Sequence, residues 1–169
     1  MKRFALLTTL LVALPVSADS DNRIRIRLTG FQEVPVVTTD AAGEFEARIS
    51  RDGLSIEYQL SYSGLQGQVR QAHVHVAQRS VNGAIVLWLC GSATNPGPAG
   101  TQPCPQTGTV VGTLTTANVQ PSATQQVLDL GDILGAIREG AAYVNVHTDL
   151  SPGGEIRGQL GSRGSSGRD

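Results

Sequence analysis

The sequence predicts an all-β domain, an antiparallel β-sandwich or barrel with one short helix in a crossover. Apolar and polar residues alternate in short runs, which is the period-2 pattern of half-buried strands. Gly, Pro, Asn and Asp separate these runs at fairly regular intervals, as turns do between strands. One stretch, "VLDLGDILGAIREG", instead has its apolar residues at helical spacing.

Three runs predict the strands of the first half of the domain. "RIRIRL" puts three aliphatic side chains on one face and three arginines on the other, which we expect to be solvated. "GEFEARI" follows a loop that contains Pro35, and Asp52-Gly53 predicts a hairpin turn into "LSIEYQLSY". The inward face of that last run is expected to carry Leu54, Ile56, Tyr58, Leu60 and Tyr62.

The middle of the chain predicts three more strands. "GQVRQAHVHVA" leads through a turn at Asn82-Gly83 into "AIVLWL", whose continuous apolar character is typical of a strand buried on both faces or at the centre of a sandwich. Trp88 in this run is expected to be a core residue. "TGTVVGTLT" is the third strand, after a Gly/Pro-rich loop.

The helix and two final strands complete the domain. The predicted helix has its apolar face at Leu130, Ile133, Leu134 and Ile137, and Gly140 is expected to end it. "AAYVNVHT" and "GEIRGQL" predict the last strands, joined by the turn "DLSPGG".

Both ends of the chain lie outside this domain, which we place at residues 19–160. "MKRFALLTTLLVALPVSA" has a basic start, an apolar run and small residues before Ala18, which predicts a secretory signal peptide over residues 1–18. The apolar run is short for a membrane anchor, so we expect no transmembrane segment after signal removal. The protein is therefore expected to be exported, periplasmic or extracellular. The tail, residues 161–169, has no apolar residue to bury after Gly161 and is predicted to be disordered.

The charge balance excludes some partners. Without the signal, 11 basic residues face 14 acidic ones, a formal charge of −3, and no basic run appears. Nucleic acid and anionic membranes are therefore not expected partners. The sequence names no protein or envelope partner.

The two cysteines predict a disulfide. Cys90 and Cys104 bracket the loop "GSATNPGPAGTQP" in a chain predicted to reach an oxidising compartment. A thiol metal site is the alternative, but the spacing is not C-x-x-C and the loop has no histidine. Closing such a loop would add about 3 kcal/mol of stability in the chain-entropy model.

All three histidines lie in two strand-like motifs, which predicts a metal site. His73 and His75 are two apart on one strand and share a face, while Val74 and Val76 enter the core. His147 lies on the outward face of its own strand. If the two strands are neighbours, three imidazole nitrogens can converge on one copper or zinc ion.

Other side chains could lie around this site. Asn145 shares the face of His147, while Glu155, Arg157 and Gln159 alternate outward on the next strand. We expect Asn145, Glu155 and Arg157 to lie around the histidines, without binding the ion themselves, if these strands pair. The alternative is that the histidines only order loops through hydrogen bonds.

Three motif blocks resemble the CHRD domain, a domain of extracellular and exported proteins first recognised in chordin. They are "LTGFQEVPVVTTDAAGEFEARIS", "AHVHVAQRSVNGAIVLWLC" and "AAYVNVHTDLSPGGEIRGQL", in this order, within residues 23–160. The resemblance implies an immunoglobulin-like β-sandwich in a single-domain bacterial exported protein. It carries little function with it, since a fold hosts many functions. The loop between the cysteines departs from the family pattern as an insertion.

A weaker likeness is to copper/zinc superoxide dismutase. "HVHV" and "VNVHT" followed by "PGGEIRGQLG" resemble its copper-binding strands, but three histidines cannot form its dinuclear centre. No nucleophile and base pair suggests itself, so no catalytic residue is expected. We therefore expect a non-catalytic binding module with a mononuclear copper or zinc site. The alternatives are a mononuclear copper oxidoreductase in which Arg157 attracts an anion, and a structural or adhesive envelope protein without metal.

Overall fold

Each run that predicts a strand forms one. The structure, a computed structural model, describes residues 22–161, so the predicted signal peptide and residues 162–169 of the predicted tail lie outside the described residues. The strands are β1 (Arg23–Thr29), β2 (Ala42–Ile49), β3 (Ser55–Ser63), β4 (Val69–Val76), β5 (Ala84–Cys90), β6 (Gly108–Thr115), β7 (Ala142–Thr148) and β8 (Ile156–Leu160). One α-helix, α1 (Leu130–Arg138), lies in the crossover between β6 and β7.

The eight strands form one antiparallel sheet in the order β5-β4-β7-β8-β1-β2-β3-β6. The sheet curls until its two end strands, β5 and β6, approach each other. The Tyr58 hydroxyl on β3 donates to the Leu89 carbonyl on β5 at 2.8 Å across this interior. The all-β prediction is confirmed, and the layers expected of a sandwich are two halves of one nearly closed, barrel-like sheet.

The helix forms where the sequence predicts it. Its apolar residues, Leu130, Ile133, Leu134 and Ile137, are all buried in the core. The Asp129 side chain accepts a hydrogen bond from the Asp132 backbone N–H and caps the first turn. Gly140 follows the helix at φ 68°, a left-handed conformation that favours glycine.

Two details differ from the sequence prediction. Leu54 is 67% exposed because β3 begins at Ser55, so Leu54 belongs to the turn and the strand parity does not apply to it. The apolar strand β5 lies at the end of the hydrogen-bonded order rather than at its centre, and Trp88 is only half-buried.

The outer face of the sheet is covered where β4 and β7 pair. All seven residues of β7 are buried, as are residues 72–75 of β4, so both faces of these strands are shielded from water. The inner face is shielded by the core. Segments from three loops, residues 31–36, 78–83 and 149–154, contact these strands or the neighbouring β8. The outward-facing side chains of β4 and β7 therefore form a second, polar buried layer.

Cys90 and Cys104 form the predicted disulfide. It joins the end of β5 to the loop before β6, and Cys104 packs against the core. None of the helices within residues 22–161 has the length and apolar character needed to cross a membrane.

Candidate metal centre

The pairing of β4 with β7 brings the three histidines together. In this register His73 lies opposite Asn145, and His147 lies opposite Gln71, one step along the same face. One ligand atom from each of His73, His75 and His147 lies within 4.8 Å of the others. The strand adjacency on which the sequence-predicted metal site depends is therefore present.

The three imidazoles are buried and neutral. His73 is 0% exposed, and His75 and His147 are each 6% exposed. Burial, with smaller contributions from His147 and His75, lowers the pKa of His73 to about 2. Burial likewise lowers the pKa of His75 to about 4 and lowers the pKa of His147. Neutral imidazole is the form that binds a metal ion.

Backbone carbonyls fix the rings of His75 and His147. The Nδ1 atom of His75 lies 3.0 Å from the Gly83 oxygen, and Nδ1 of His147 lies 3.0 Å from the Pro152 oxygen. A carbonyl oxygen only accepts hydrogen bonds, so both Nδ1 atoms carry the proton. Each Nε2 atom therefore keeps its lone pair. A hydrogen bond from Nδ1 to a backbone carbonyl is a common way in which proteins orient metal-binding histidines.

The contact between His73 and His147 has the spacing of two ligands on one ion. The Nδ1 atom of His73 lies 3.2 Å from Nε2 of His147. Two nitrogens, each about 2.0 Å from a tetrahedral ion, are about 3.3 Å apart. The Nε2 atoms of His73 and His75 are also buried without a hydrogen-bond partner among the described residues. The rings of His73 and Trp88 pack edge to face, with centroids 4.2 Å apart.

A three-layer stack supports His75. Its ring is parallel to that of Tyr143, with centroids 4.6 Å apart, and the Arg157 guanidinium lies 3.4 Å from the centroid of the Tyr143 ring. Arg157 is 1% exposed and donates to the Asn82 side chain at 3.2 Å and the Val81 carbonyl at 2.8 Å. Arg157 therefore lies beside the histidines, and its guanidinium faces protein oxygens rather than solvent.

Of the other two residues expected around the histidines, Asn145 lies beside them and Glu155 does not. Asn145 lies in the site, with its Oδ1 atom 2.9 Å from Nε2 of His147. The Glu155 carboxylate instead accepts hydrogen bonds from Thr39, Thr148 and the Gln66 backbone N–H. Glu155 precedes the first residue of β8, so the strand parity that placed it with Arg157 does not hold there.

Sequence reasoning missed Glu33. This residue is 4% exposed, and its Oε1 atom has no hydrogen-bond partner among the described residues. Burial raises its pKa to about 7, against opposing effects of Arg157, the Val34 backbone and the Asn145 amide. The available signal was the motif "QEVP", in which a single acid lies among apolar residues in a loop.

The arrangement suits cation binding. Within residues 22–161, the three histidines are the one group of ligand-type side chains close enough to hold an ion together. Imidazole nitrogens suit copper and zinc. The Gly83 and Pro152 carbonyls fix the rings of His75 and His147 and leave the Nε2 lone pair of each available to an ion.

The comparisons with known proteins agree with the motif blocks. A family model described as the CHRD domain matches residues 24–160. The comparison with curated proteins and the comparison with solved structures found no match. The matched region includes all eight strands, apart from the first residue of β1, and all three histidines.

Proposed function

We propose that this chain, which belongs to the CHRD domain family, is a non-catalytic module that binds one copper or zinc ion through His73, His75 and His147. The observation that carries the proposal is the convergence of three neutral, buried imidazoles whose ligand atoms lie within 4.8 Å of one another. The Nε2 atom of His75 is buried without a hydrogen-bond partner among the described residues, which is costly, and a bound ion would satisfy it. The hydrogen bonds from Nδ1 to backbone carbonyls support the same role.

The burial of the site favours binding over turnover. A dismutase-type oxidoreductase needs a path for its substrate and a cation that attracts it. Here His73 is 0% exposed and the Arg157 guanidinium donates to Asn82 and Val81. These contacts support an ion that is held rather than one that reacts with a diffusing anion.

We also propose that the protein acts outside the cytoplasm. The disulfide between Cys90 and Cys104 supports an oxidising compartment. The predicted signal peptide points the same way, although it lies outside the described residues.

Metal content tests the proposal. Protein exported to a bacterial periplasm and purified without a histidine tag should carry about one copper or zinc ion per chain by mass spectrometry. The variant His73→Ala/His75→Ala should carry none.

A matched control separates loss of ligands from loss of fold. Tyr62→Phe removes a buried hydroxyl that donates to the Pro105 carbonyl at 2.7 Å, in the other half of the sheet, and should keep the metal. Wild-type protein that holds no stoichiometric metal after copper and zinc are offered would contradict the proposal. It would favour a structural or adhesive module whose histidines order the loops.

A further inference from the structure

Asn145 occupies the centre of the buried polar layer. It lies on β7, opposite His73 on β4 and opposite Arg157 on β8, and it is 1% exposed. Each part of its side-chain amide must therefore face a protein group.

The surroundings fix the orientation of the amide. Its nitrogen, Nδ2, points to the Gly153 carbonyl, at 3.5 Å, and the Glu33 carboxyl lies on the same side. Gly154 borders both groups, since a Cβ added there would lie 2.7 Å from Nδ2 of Asn145 and 2.3 Å from Oε1 of Glu33. Acceptors on this side require the donor nitrogen, so the oxygen faces the histidines.

This orientation places two acceptors against each other. The Nε2 atom of His147 keeps a lone pair because its Nδ1 proton is held by Pro152. The Oδ1 atom of Asn145, which also has only lone pairs, lies 2.9 Å away. A cation bound by both atoms would relieve this contact.

We infer that Oδ1 of Asn145 is the fourth ligand of the ion whose binding by the three histidines is proposed above. The 2.9 Å and 3.2 Å contacts at Nε2 of His147 lie within the range of about 2.8 to 3.3 Å that separates neighbouring ligands on a tetragonal or tetrahedral ion. Three nitrogens and one oxygen close the coordination sphere of zinc or tetragonal copper. A closed four-ligand set is typical of structural rather than catalytic sites, and Glu33 lies behind it to balance the charge of the ion.

Pulsed electron paramagnetic resonance on Cu²⁺-loaded protein tests this inference. The protein is labelled with ¹³C at the asparagine side-chain carbonyl. Direct ligation by Asn145 should give a through-bond ¹³C coupling to copper that disappears in equally labelled Asn145→Leu. Copper affinity, measured against a chromophoric chelator, should fall by about tenfold or more in that variant.

Two further variants keep the test decisive. Gln71→Leu makes the same kind of change on the same face of β4 and should keep both coupling and affinity. Asn145→Asp/Glu33→Gln exchanges the acid and the amide between the two partners and should retain an oxygen ligand even if Asn145→Leu fails to fold.

The outcomes separate the two proposals. Only a weak through-space coupling in the wild type, with copper still lost in His147→Ala, would overturn the fourth ligand and leave the three-histidine site intact. Wild-type protein that binds no copper would overturn both.

Discussion

The Nδ1 atom of His73 lies 3.2 Å from Nε2 of His147, a contact between residues 74 positions apart in the chain. It joins β4 to β7 on the outer face of the sheet, where both rings are buried. Since neither ring can turn to water, removal of one leaves a buried nitrogen of the other without this partner. The stability of this layer and the proposed binding of an ion should therefore be coupled.

Zinc should stabilise the fold through these residues. An ion that binds only the folded state adds about 2.7 kcal/mol to the free energy of unfolding when free metal is 100 times Kd. Thermal unfolding with and without zinc measures the shift, which a chelator should reverse. The same zinc-dependent shift in His147→Ala would show that the ion binds elsewhere.

The metal-free protein should lose stability as the pH falls below about 6.5. Burial lowers the pKa of His73 to about 2 and that of His75 to about 4, and it lowers the pKa of His147. The unfolded chain therefore binds protons that the folded chain excludes. Each histidine should lower the free energy of unfolding by about 1.4 kcal/mol for each unit by which the pH falls below 6.5. Glu33 acts in the opposite direction between pH 7 and 4.5, because burial raises its pKa to about 7.

The effect of the three histidines exceeds that of Glu33, so the free energy of unfolding should decrease as the pH falls. Urea unfolding at pH 7, 6 and 5 measures it, and His73→Gln should reduce the slope. A free energy of unfolding that stays constant over this range would contradict the buried, neutral state of the imidazoles.

Tyr143 should matter through its ring rather than its hydroxyl. The hydroxyl accepts one long hydrogen bond, 3.4 Å from the Gly83 nitrogen, so Tyr143→Phe should cost less than about 1 kcal/mol. Tyr143→Leu removes the stack with His75 and the contact with Arg157, and should cost about 2 kcal/mol. Chemical unfolding measures both costs. Zinc affinity should fall only in the Leu variant, because His75 loses the ring that orients it.

Two neighbouring glycines offer a matched pair. A Cβ at position 154 would lie 2.3 Å from Oε1 of Glu33, and Gly154 has φ 126°, so Gly154→Ala should destabilise by at least about 2 kcal/mol. Gly153 has open space around it, and Gly153→Ala should change stability by less than about 0.5 kcal/mol. Equal effects of the two substitutions in thermal unfolding would show that Glu33 is not packed against this turn.

Local patterns predicted that the histidines, Asn145 and Arg157 would share one face, but they predicted neither Glu33 nor the position of Glu155. The parity of His73 and His75 and the strand character around His147 follow from a period of two, which depends only on the backbone. Glu33 joins the same layer through a loop, and no periodicity governs where a loop folds. For the same reason, Glu155 departs from the predicted face just before β8 begins.

The loops over β4 and β7 should also determine how fast a bound ion exchanges with solution. The carbonyls that orient His75 and His147 belong to Gly83 and Pro152, in two segments that must both be folded before the imidazoles are aligned. An ion bound at the proposed site would leave only when one of these segments opens, so local unfolding as well as ligand affinity would set its exchange rate. A protein built in this way would retain its ion through dilution and would give it up slowly to a competing chelator.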